Sequence, residues 1–181
     1  MPLSRPPSSR VELKSLAELF FRRFEDLGNF VEVSAEEIPA PWKKLLAHEN
    51  HMTVTVERHY RSPVDVVVLD QRSDDTSYSR KILLKLVSDG RVVQFGLVRV
   101  ARSALDKAIM SKIEVGDTPL GRILIEHNVL RKVRLLHLWR IEPAAELAKA
   151  LGKTERQTCY GRTAVIEANG QPAIELLEIV A

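Results

Sequence analysis

Thr118, Pro119, Leu120, Gly121 and Arg122 stand together where a helix should begin, and their types raise a question of chemistry. Thr118 can cap the first turn, and Pro119 suits the first helical position, where its missing N–H costs nothing. Gly121 fits less easily. Glycine inside a helix costs about 1 kcal/mol relative to alanine, so some other demand must offset it. One such demand is close approach of another group to a backbone whose free N–H groups favour an anion. An ordinary capped helix start is the alternative, and five residues do not separate the two.

Charged residues inside apolar runs are the second kind of candidate. Arg80 precedes KILLKLV, and Glu175 lies in PAIELLEIV. On a period of two, Glu175 shares a face with Leu177 and Ile179, and Glu178 takes the opposite face. One of these carboxylates must therefore meet partly buried surroundings. Burial without a partner is expensive, so such a group is paired or functional, and a strand-edge salt bridge and a site both remain open. Elsewhere the chemistry is sparse. His48 and His51 lie close in sequence but belong to no set with zinc-like spacing, so no metal is expected. His127 and His137 are isolated and read as structural. No Gly-rich phosphate loop, GxSxG or kinase signature is present, and no cofactor is implied. The single cysteine, Cys159, excludes an internal disulfide and is consistent with a reducing compartment; without a Cys-His signature around it, it reads as a buried or incidental thiol rather than a nucleophile.

The elements that would position these residues follow from periodicity. Residues 1–9, rich in Pro and Ser, read as a loose tail, and 10–181 as a single domain. Leu13, Leu16, Leu19, Phe20, Phe24 and Leu27 predict an amphipathic helix over 11–27 that ends at Gly28. A short helix is expected at 40–48. MTVTVERHY (52–60) alternates like a strand, and VDVVVLD (64–70) is β-branched. Residues 79–101 predict two long strands joined at Asp89-Gly90. A helix over 103–113 and the TPLGR helix follow. Residues 129–141 read as a strand and 143–151 as a short helix, and 162–180 as a hairpin turning at Asn169-Gly170. Strands joined mainly by hairpins, with helices clustered between them, indicate an α+β fold on an antiparallel sheet.

Bulk composition sets limits on partners. The chain has 181 residues, 45% hydrophobic and 28% charged, enough for a real core and too apolar for long-range disorder. A net charge of +3 without a basic block does not suggest nucleic acid, though it would attract a small anionic substrate. No apolar run is long enough to span a membrane, and the N-terminus lacks a secretory pattern, so a cytoplasmic protein is expected.

VGDTPLGRILI (115–125) resembles the chorismate pyruvate-lyase family, which carries a similar segment before a helix. Further pieces fall in the same order: Met52-Thr53, then SRKILLKLVSDGRVVQFGLVRV, then YGRTAVIEANGQPAIEL (160–176). The resemblance runs from about Leu45 to the C-terminus. It implies an antiparallel α+β sheet in which helical flaps cover an internal ligand site, and conversion of chorismate to 4-hydroxybenzoate and pyruvate without cofactor or metal. By the same resemblance Arg80 would bind the aromatic carboxylate, with the Leu120 N–H on the same group. Glu175 would sit at the hydroxyl end, as a proton acceptor or hydrogen-bond partner, and Met52 would line the pocket. Gly121 would let the ligand carboxylate or a flap come close. Glu175 is then expected to face the cavity and Glu178 the outside.

The segment 140–158 is longer than that family's usual connection, and the first 45 residues match weakly. Ligand-sensing domains found behind DNA-binding domains in bacterial regulators resemble the same fold without the reaction. Residues 1–45 supply one good helix and no winged-helix pattern, which favours the lyase, with a non-catalytic binding module as the alternative.

Overall fold

The structure is a computed structural model and describes residues 9–129 and 131–181; the expected tail at 1–9 lies, but for Ser9, outside them. Seven strands form one antiparallel sheet: β1 (Gly28–Val33), β2 (Val64–Ser73), β3 (Ser77–Leu86), β4 (Val92–Ala101), β5 (Arg131–Pro143), β6 (Cys159–Ala168) and β7 (Gln171–Val180). Their order across the sheet is β1-β5-β6-β7-β4-β3-β2. The helices are α1 (Ser9–Ala17), α2 (Ala40–Leu46), α3 (Met52–Tyr60), α4 (Lys107–Val115), α5 (Leu120–Glu126) and α6 (Ala145–Ala150). The α+β class read from the sequence holds.

Alternation along the central strands gives the sheet two apolar faces. Phe95, Leu97, Leu177 and Ile179 pack with Leu13, Leu16 and Ala17 of α1 and Leu147 of α6. The opposite face carries two clusters. One gathers Ile109, Ile113, Leu120 and Leu124 of α4 and α5 over Val98, Val100 and Leu176. The other gathers Leu45, Leu46, Met52 and Val56 of α2 and α3 over Val66, Ile82 and Leu84. Both hairpins appear where expected. Asn169 and Gly170 both have positive φ, 52° and 79°, which is the twist a tight primed turn requires.

Three elements differ from the sequence reading. Residues 52–60 form a helix and not a strand. The alternation Met52, Val54, Val56 fits a strand, but Met52, Thr53 and Val56 also share one helical face, and these are the residues buried. Tertiary anchors decide: the Glu57 carboxylate accepts the Val64 N–H at 3.0 Å and pairs with Arg122 of α5. The helix expected over 11–27 stops at Ala17, because the chain must turn to place β1, unforeseen, beside β5. At Gly28 (φ +152°) a Cβ would lie 2.6 Å from the Glu142 carbonyl, so only glycine admits that start. The helix over 103–113 is shifted to Lys107–Val115 behind a short 3-10 turn.

Candidate functional site

Strand register builds the site in rows. Arg80 pairs with Val98, Ile82 with Gly96 and Leu84 with Gln94 across β3 and β4. Gly96 lies opposite Glu178 of β7, and Glu178 opposite Arg162 of β6. Ile82, Gly96, Glu178 and Arg162 therefore form one row, with Arg80 on the row to one side and Gln94 on the row to the other. All six line a cavity between the two apolar clusters. The Ile82 side chain packs over Gly96, where a Cβ would lie 3.1 Å from it.

The two buried arginines differ in their partners. Arg162, fully buried, donates from Nε to Glu178 Oε2 at 2.6 Å, from Nη1 to the His48 carbonyl at 2.7 Å and from Nη2 to the Asn50 carbonyl at 3.0 Å. Its charge is neutralised, and it fastens the loop before α3 to the sheet. Arg80, 1% exposed, donates from Nη1 to the Ile113 carbonyl at the end of α4, 3.2 Å away. Its Nε has no partner, and among the described residues it forms no salt bridge. Burial pulls the Arg80 pKa below the ordinary arginine value, opposed by the neighbouring Tyr78 phenol. A guanidinium still stays protonated, so the site keeps an uncompensated positive charge.

Two helix starts cover this floor. His51, Met52 and Thr53 come from the start of α3, and Pro119, Leu120 and Gly121 from the start of α5. A Cβ on Gly121 would lie 3.1 Å from Thr53 Oγ1 and 3.3 Å from His51 Cβ. The glycine in TPLGR is thus required by the crossing of α5 on α3, and Arg122 of the same motif closes the crossing by pairing with Glu57. His51 Nε2 accepts a hydrogen bond from Arg131 Nε at 2.7 Å. Burial, then Arg131 and Arg162, pull the His51 pKa down to about 4, so it is neutral at pH 7. The cavity measures about 40 Å³, room for roughly three waters. An organic ligand therefore requires α3 and α5 to move apart.

The expected residues divide accordingly. Arg80, Met52, Leu120 and Gly121 meet at the cavity. Glu175 does not: it faces the α1 side of the sheet, pairs with Arg99 and is partly exposed. Glu178 takes the inward position. Relative to the Arg80 cavity the expectation had the faces of β7 reversed, because this strand is apolar on both sides and alternation alone could not say which side carries Arg80; Glu175 lines a separate groove on the α1 side. Arg162 and Gln94 were not singled out, and His51 was weighed only as a metal ligand. Gln94 carried a readable signal, a polar residue within the apolar run VVQFGLV, the same signal that marked Arg80. Among the described residues no group of three or more His, Cys, Asp and Glu could hold a metal ion, and no helix is long and apolar enough to cross a membrane.

No family model matches the sequence, and no curated protein does. Solved structures do share the fold. PhnF from Mycobacterium smegmatis aligns with a TM-score of 0.51 and 10% identity, over 72% of this chain and 63% of that one. The SA0254 gene product from Staphylococcus aureus aligns with a TM-score of 0.52 and 11% identity, over 75% and 90%. A possible transcriptional regulator, YydK, from Bacillus subtilis gives 0.47 and 16%, over 65% and 57%. The chain thus spans about six-tenths of the length of YydK and of PhnF. Other solved likenesses are named as the effector domain of PhnF and as the ligand-binding domain of a GntR-family transcriptional regulator. PhnF and the SA0254 product carry the likeness in fold, and neither is named as a lyase; on that finding the expectation of a chorismate lyase is corrected, and what is shared is the chorismate lyase-like α+β fold.

Proposed function

We propose that residues 10–181 form a sensor-type domain that binds a small organic anion without transforming it, with the anionic group against Arg80. The observation that carries this reading is the buried Arg80 guanidinium with an unbonded Nε and no counter-ion among the described residues. A buried charge of this kind is costly, and an anionic ligand repays the cost through a charge-assisted, planar pair. Arg162 and Glu178 cancel, so the floor has one net positive charge to offer. Met52, Val66, Ile82, Val98 and Leu176 supply apolar walls for the body of the ligand. The likeness in fold to PhnF, a protein with a named effector domain, supports binding as the role.

The test is calorimetric titration and thermal melting with benzoate, 4-hydroxybenzoate and inorganic phosphate, on wild type and Arg80→Met. Wild type binds at least one of these, which is recovered unchanged, and Arg80→Met binds none. Removing an uncompensated buried cation should also raise the melting temperature of the free variant, by the equivalent of about 1–4 kcal/mol. Equal binding by the two proteins would refute the reading.

A further inference from the structure

Gln94 is the second unpaired polar group of this cavity. It is 3% exposed, and its Oε1 is buried with no hydrogen-bond partner. We propose that Gln94 is the specificity-determining residue of the site, accepting a hydrogen bond from a donor at the end of the ligand remote from its anionic group. The proposal rests on the anion-binding reading above and adds the chemistry of the other end.

Register supports this polarity. Gln94 lies opposite Leu84, four residues along β3 from Arg80, a Cα separation of roughly 13 Å at about 3.3 Å per residue. Both side chains line the same cavity, and only the Ile82–Gly96 row stands between them. Gly96 admits the Ile82 side chain over it, which makes the middle of the floor apolar between the two polar ends. The Arg80 end offers an unbonded N–H, and the Gln94 end an unbonded carbonyl beside the Glu178 carboxylate. Such a site fits a molecule that is anionic at one end and carries a hydroxyl or N–H at the other, on an apolar body about as long as an aromatic ring. A ligand lacking that donor leaves the amide oxygen dry and unpaired, which is the strongest form of discrimination a buried site has.

The experiment titrates the intact chain with three probes on one scaffold: benzoate, 4-hydroxybenzoate (a remote donor) and 4-methoxybenzoate (a remote acceptor only). Wild type, Gln94→Met and Gln94→Leu are compared, with melting temperature reporting on their folding. Wild type should bind the hydroxy compound about five- to tenfold more tightly than the other two, as one buried hydrogen bond allows. In both variants that preference, read as the ratio of affinities within one protein, should fall below twofold. Equal binding of all three by wild type would overturn the role of Gln94 and leave the Arg80 reading standing. A preference that survives in the variants would assign the donor to Glu178 and overturn it as well. Tighter binding of the methoxy compound would mean that the amide presents its nitrogen, which also overturns it. Binding of none of the three refutes carboxylate binding itself, and this inference with it.

Discussion

Arg80 and Arg162 have the same charge at the same depth on one sheet face, and their surroundings give them different work. Arg162 is saturated by Glu178 and two loop carbonyls, so it is structural cement. Arg80 is held by a single bond to Ile113 and keeps its Nε in reserve. The two glutamates of β7 separate in the same way. Glu178→Gln leaves the buried Arg162 charge without its partner and should cost about 3–5 kcal/mol of stability. Glu175→Gln breaks a pair whose carboxylate is 39% exposed, worth about 0–1 kcal/mol. Urea denaturation of the two variants checks this, and equal losses would contradict the assigned faces. At this scale the sequence was half legible. A charge in an apolar run announced Arg80, and the spacing of Glu175 and Glu178 showed that one faced inward. Which one depended on where the helices lay, and that is not a property of β7.

Among the elements, α3 and α5 carry the most consequence, because their first turns close the cavity. Their crossing depends on an absent side chain at Gly121 and on the Glu57–Arg122 pair. Gly121→Val should push α3 away through Thr53 and destabilise the fold by about 1–3 kcal/mol, as overpacking does. Thr53→Ala in the same chain should recover at least ~0.5 kcal/mol, the scale of coupling between touching residues. Strictly additive losses in a double-mutant cycle would show that the two do not meet. TPLGR was readable as a helix start with an unexplained glycine. Its explanation lay in α3, which the alternation of MTVTVERHY disguised as a strand. Strand and helix patterns coincide over nine such residues, and Glu57, through contacts distant in sequence, chose between them.

For the whole molecule, the hairpins at Asn169-Gly170 and Asp89-Gly90 and the run of β-branched strands made the antiparallel sheet legible. β1 was not, because its six residues, GNFVEV, follow an apolar stretch that reads as continued helix. The sheet gives one face to α1 and α6, with an apolar cluster beside a groove that Arg99 and Glu175 line, and the other to α2–α5, where two apolar clusters leave a polar floor between them. The central claim is that this floor holds an anion at Arg80. The most direct measurement is the Nε–H resonance of Arg80 in ¹H–¹⁵N NMR spectra during titration with benzoate or inorganic phosphate. The Arg80 signal should shift saturably with at least one of them, as its unbonded N–H gains an acceptor, while the Arg162 signal, already bonded to Glu178, moves little. An Arg80 resonance that stays fixed while either anion saturates the protein, or while neither binds, would contradict the account.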